Sequence, residues 1–97
     1  MAETGKFDPL IHAPNRLQIC ALLDATAEIE FKVLRDKLSV SDSVLSKQLK
    51  CLEEAKYLIV HKRSEMGRQR SWLSLSSKGR QAFHAHVAAL KAILGQA

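Results

Sequence analysis

The chain has 97 residues, of which 46% are hydrophobic, with a net charge of +5 and a pI of about 9.5. That length leaves room for one core and not two, and that apolar content excludes a disordered polyelectrolyte. Aromatic residues make up only 5%, so Leu, Ile, Val and Ala have to fill the interior.

The charge is unevenly spread. Residues 1–46 hold five Lys/Arg against seven Asp/Glu, whereas residues 47–97 hold ten against three. A basic excess confined to one half suits an anionic partner, either nucleic acid or a charged membrane surface. No apolar run approaches the roughly 20 residues that a membrane helix needs. No apolar leader opens the chain, so no secretory signal is expected. Cys20 and Cys51 form no CxxC pair, which fits thiols in a reducing cytoplasm.

Residues 1–6 are polar and expected to fray. Asp8 followed by Pro9 predicts a short turn of helix, with Asp8 as cap and Pro9 in the first helical position. Pro14 then opens a helix to about Asp24. Leu17, Ile19, Cys20, Ala21, Leu22 and Leu23 cover most of its circumference, so one face is expected to meet another chain. Cys20 reads as core filler.

Residues 28–30 connect, with room for a short strand. Phe31 to Leu38 predicts a helix with Phe31, Leu34 and Leu38 inward and Lys32, Arg35 and Lys37 outward. Ser39-Val40 turns the chain, and Ser41 is a good N-cap for the next helix. Val40 is placed to act as a hydrophobic staple on Leu45. From there to Glu54, Leu45, Leu49 and Leu52 share one face, and Ser43, Ser46, Lys47 and Lys50 share the other. Asp42 suits the positive end of the helix dipole, and Gln48 and Cys51 lie on the flanks.

Tyr57 to Arg63 has strand character, and Ser71 to Leu75 reads as its partner. The intervening stretch 64–70, with Gly67 as its turn residue, predicts a long hairpin loop with a mobile tip. Ser76 or Ser77 then caps a last helix to about Leu94, roughly 27 Å long. Phe83, Val87, Leu90 and Leu94 recur along it as a heptad-like stripe. A head this small covers only part of such a stripe, so a second copy of the chain is the expected cover.

Several segments in this order resemble the small winged helix-turn-helix transcriptional regulators of the MarR and ArsR families. They are His12 to Ile19 in the first long helix, Ser41 to Leu52, the junction Leu52 to Leu58, and Leu75 to Arg80 at the start of the last helix. The resemblance spans about Phe7 to Leu94. It implies a mainly α fold with a small β-hairpin wing (α+β), one DNA-binding domain over 7–97, and a dimerisation helix over 77–94. It also implies a homodimer on a pseudo-palindromic double-stranded DNA operator. Two features depart from the families' pattern. Ser39 stands in the inter-helix turn where Gly is common, and the paired cysteines of the metal-sensing ArsR proteins are missing.

The DNA-contacting residues expected on this basis are Ser43, Ser46, Lys47 and Lys50 on the second helix and Lys62, Arg63, Arg68 and Arg70 on the wing. The alternative for each set is a solvated charged surface. Leu17, Phe83, Val87, Leu90 and Leu94 are the expected dimer interface. Trp72 reads as packing at the base of the wing. His84 and His86 are about 200° apart around a helix axis and cannot share an ion. His12 and His61 have no ligand-spaced neighbours, so no metal site and no cofactor are expected. His86 lies beside the apolar stripe, where a dimer interface would make it pH-sensitive. No phosphate loop, nucleophile elbow or HExxH pair supports an enzyme. The competing reading is a winged-helix module that binds protein instead of DNA. No residue identifies an effector.

Overall fold

The computed structural model describes residues 5–95. Its order is α1 (Pro9–His12), α2 (Pro14–Asp24), β1 (Ile29–Glu30), α3 (Phe31–Leu38), α4 (Asp42–Glu54), β2 (Leu58–Glu65), β3 (Arg68–Leu75) and α5 (Ser77–Ile93). The sheet is antiparallel, in the order β1-β3-β2. This is a winged helix: α2, α3 and α4 form the head, β2 and β3 the wing, and α5 the return helix. Of the six residues expected to fray, 1–4 lie outside the described residues, whereas Gly5 packs directly on the backbone of Ala85 in α5. The last two positions of the 7–97 domain, 96 and 97, also lie outside them.

Local chemistry accounts for each helix start. The Asp8 carboxylate accepts from the backbone N–H groups of Leu10 and Ile11, and Pro9 follows in the first turn. Ser41 Oγ accepts from Val44 N–H at 3.2 Å, and Ser76 Oγ from Gly79 N–H at 3.0 Å. Each satisfies a donor that the first helical turn leaves free. Between α3 and α4, Ser39 adopts the left-handed conformation at φ 55°, ψ 45°. Glycine reaches that region without steric cost, so this turn carries the mild strain expected of serine there.

The core is aliphatic. Ile11, Ile19, Cys20, Leu23, Leu34, Leu45, Leu52 and Leu73 are essentially sealed from solvent. Phe31, Leu38 and Val40 pack at its edge. In α2, Ile19, Cys20 and Leu23 face inward, Leu17 and Leu22 are half-buried, and Ala21 is exposed. Burial pushes the Cys20 thiol up to about 12, with the Asp8 carboxylate adding to the effect. It is an unreactive core side chain.

Gly79 fixes how α5 leaves the sheet. A Cβ there would sit 2.2 Å from the carbonyl oxygen of Tyr57. The same carbonyl accepts from Ser76 N–H at 2.9 Å. The start of α5 therefore presses on the α4–β2 junction at a distance only glycine permits.

The hairpin corrects one expectation. In place of a seven-residue loop, both strands continue to a two-residue tip, Met66-Gly67, with Glu65 paired to Arg68 and Ser64 to Gln69. Met66 and Gly67 both have positive φ, 51° and 77°. A turn of that hand matches strand twist, so the ladder runs to the end.

His86 has a structural role. It is 0% exposed, within its own chain. Its Nδ1 accepts from Asp8 N–H at 2.9 Å, and its Nε2 lies 3.2 Å from His12 Nδ1. The two histidines are 74 positions apart, so local spacing does not reveal this pairing.

Candidate nucleic-acid interface

Burial of Leu45, Leu49 and Leu52 against the head turns the opposite face of α4 outward. Ser43, Ser46, Lys47 and Lys50 are all exposed there. Short hydroxyls let that face approach a polyanion closely, and the two ammonium groups supply charge. No intramolecular ion pair involves Lys47 or Lys50 among the described residues.

Two arginines hold α4 in place. Arg35 of α3 reaches across the turn to the Asp42 carboxylate at 2.8 Å while also pairing with Asp36. Arg16 of α2 donates to Gln48 Oε1 at 2.7 Å and also bonds the Leu10 carbonyl. Gln48 is thus turned toward α1 and α2, which makes it a tie between helices. Sequence spacing placed Gln48 on the flank of the leucine stripe, but nothing near Arg16 in the sequence announces this partner.

The wing separates its cations into two groups. Arg63 bonds Glu28 at 2.8 Å, and its guanidinium stacks over Trp72 at 5.2 Å from the ring centroid. Arg70 meets Glu30 at 3.0 Å and lies 3.5 Å from Glu65. Arg63 and Arg70 are direct cross-strand partners. Their mutual repulsion is offset by carboxylates from β1 and the residue before it. Lys62 and Arg68 are exposed and form no such pair among the described residues. The acidic partners of Arg63 and Arg70 come from about 35 and 40 residues upstream, so composition alone does not reveal them.

On the α5 side, the side chains expected at a dimer interface occupy different environments. Phe83 is 8% exposed and belongs to the chain's own core. Leu17, Val87 and Leu90 are half-buried, and Leu94 is 71% exposed beside Ile93 at 66%. A shallow groove of about 380 Å³ runs along Asp24, Phe83, His84, Val87, Ala88 and Lys91. At its head, Asp24 binds Arg80 at 2.6 Å and His84 at 2.9 Å, which locks α2 to α5. A second cleft of about 510 Å³ lies between the N-terminal segment, Tyr57 and α5. Among the described residues no group of three or more His, Cys, Asp or Glu side chains could hold a metal ion, and no helix is long and apolar enough to cross a membrane.

Comparison with known proteins agrees with this geometry. Residues 15–94 match the family model described as a winged helix DNA-binding domain, and the chain belongs to that family. It is 35% identical over 72 residues to the uncharacterized protein MJ0432 of Methanocaldococcus jannaschii, covering 74% of this chain and 78% of that one. Among solved structures, a transcriptional regulator homologue from Pyrococcus horikoshii OT3 superposes with a TM-score of 0.83 at 20% identity, covering 89% and 85% of the two chains. NolR from Sinorhizobium fredii superposes with a TM-score of 0.66 at 27% identity, covering 91% and 80%. The chain is a small winged-helix protein of the DNA-binding-domain family and shares its fold with solved transcriptional regulators.

Proposed function

We propose that the protein acts as a homodimer that binds double-stranded DNA sequence-specifically and controls transcription. The observation that carries this reading is the outward face of α4. Ser43, Ser46, Lys47 and Lys50 are exposed together on the second helix of the helix-turn-helix, the element that such a motif lays in the major groove, within the residues matched to a DNA-binding domain. Phosphate contacts from Lys47, Lys50, Lys62 and Arg68 supply most of the affinity, and Ser43 and Ser46 contact base edges. Arg63 and Arg70 reach phosphate only by sharing their guanidinium groups with Glu28 and Glu30. Two-fold symmetry gives half-sites roughly 10 bp apart. The exposed Leu94 and Ile93, together with the groove beside Val87, support α5 as the dimer surface. Such a role implies a cytoplasmic protein.

The test is a fluorescence-anisotropy titration with random-sequence and promoter-upstream duplexes at two salt concentrations. A steep loss of affinity with salt and much tighter binding to one upstream duplex is the expected result. No binding to either duplex at low salt sinks the reading in favour of a winged-helix module that recognises protein.

A further inference from the structure

Met66 is 100% exposed at the tip of the wing. The other exposed large apolar side chains of the head and wing, such as Val33, Val44 and Ile59, are about 40% exposed and sit on packed elements. Met66 also occupies a backbone conformation that disfavours it, with φ of 51° in the first position of a two-residue turn. Asn, Asp and Gly are the residues this position prefers. Turn chemistry therefore gives no reason for a methionine here, and neither does packing.

Its surroundings suit entry into a DNA groove. Gly67 follows it with nothing within 4 Å of a built Cβ, so the backbone at the tip can approach a surface closely. Arg68 follows the tip as an exposed cation, and Lys62, also exposed, lies four positions before Met66 on the same ribbon. Glu65, the only acidic residue from 58 to 75, lies 3.5 Å from Arg70 through its carboxylate. The tip is thus an unbranched apolar side chain beside an exposed arginine, on a ribbon about 26 Å long. A thioether is slender enough for a minor groove about 6 Å wide.

Resting on the DNA-binding reading above, we propose that Met66 is the wing's minor-groove contact. It adds apolar, salt-insensitive affinity where Lys62 and Arg68 add the electrostatic part. Met66→Asn is the informative change because its effects on folding and binding have opposite signs. Asparagine suits the turn, so the melting temperature should rise by about 4 °C. Loss of the apolar contact should weaken binding to the preferred upstream duplex about tenfold. The slope of log affinity against log salt should stay unchanged, because no cation is removed. Met66→Leu should keep the affinity.

Equal binding by Met66→Asn and wild type, within twofold, overturns the proposal. So does a Met66→Leu variant that loses as much affinity as Met66→Asn. If the wild-type protein binds no duplex at low salt, the DNA-binding reading fails and this proposal fails with it. Normal wild-type binding with an indifferent Met66 overturns only the proposal.

Discussion

His12 Nδ1 lies 3.2 Å from His86 Nε2, and the other nitrogen of the His86 ring, Nδ1, accepts the backbone N–H of Asp8. That acceptor role places the His86 proton on Nε2, where it is donated to His12. Both rings are neutral in this arrangement. Phe7 packs on both, with centroids 4.8 Å and 4.7 Å away. Neutral imidazoles thus fasten the segment before α2 to the middle of α5.

Charging His86 would place a second N–H against Asp8 N–H, so the fold resists it. Burial holds its pKa below the ordinary 6.5, the neighbouring His12 adds to that, and the Asp8 carboxylate opposes it. Tyr57 donates to the same carboxylate at 2.6 Å, and Cys20 of α2 lies beyond as a neutral thiol. A base with a depressed folded pKa binds fewer protons folded than unfolded. Its contribution is fully present above about pH 6.5 and is lost as pH falls below that value. Urea unfolding should therefore show lower stability at pH 5.5 than at pH 7.5. His86→Asn keeps an acceptor near Nδ1 but cannot take the proton. It should flatten this difference, and an unchanged pH dependence in the variant would assign the effect elsewhere.

The wing cations should divide by partner. Arg68→Ala removes an exposed charge that has no ion pair among the described residues. It should weaken DNA binding across sequences and lower the salt slope by about 1, with the melting temperature unchanged. Arg70→Ala leaves the Glu30 carboxylate, whose side chain is only 11% exposed, without its main partner. It should cost about 1 kcal/mol of folding stability, read by urea unfolding. A larger stability loss in Arg68→Ala than in Arg70→Ala would reverse this division.

Gly79→Ala should be among the most damaging single-methyl additions in the chain. The new Cβ would meet the Tyr57 carbonyl at 2.2 Å, and that neighbour is backbone, not a mobile side-chain end. The start of α5 has to shift, costing about 2 kcal/mol or more. Ser76→Ala removes only the cap bond to Gly79 N–H and should cost about 1 kcal/mol. Thermal melts of the two variants check the order.

These cases show what was legible in the chain and what was not. Helix starts at Asp8-Pro9, Ser41 and Ser76 depend on residues within four positions, so local sequence predicts them. The leucine face of α4 follows from its spacing for the same reason. The His12–His86 bond, the Arg16–Gln48 tie and the pairs Arg63–Glu28 and Arg70–Glu30 join residues 32 to 74 positions apart. Only the closed topology brings them together. The tip of the wing was missed for a different reason. Met at positive φ runs against turn preference, so the sequence read as a longer loop.

The proposed dimer gives the last expectation. Within one chain, Phe83 is already buried, whereas Ile93 and Leu94 remain 66% and 71% exposed at the end of α5. Removing two such side chains from water would stabilise an interface by about 3 kcal/mol per chain. A charge at either position would be buried unpaired on association, at a cost exceeding that gain. Leu94→Asp and Ile93→Asp should therefore give monomers in sedimentation velocity with an unchanged head, as read by Trp72 fluorescence. Leu17→Ala should destabilise the fold as well, because Leu17 also packs against the core. Wild-type sedimentation as a monomer at micromolar concentration would remove α5 as a dimer surface and leave its exposed end to another partner.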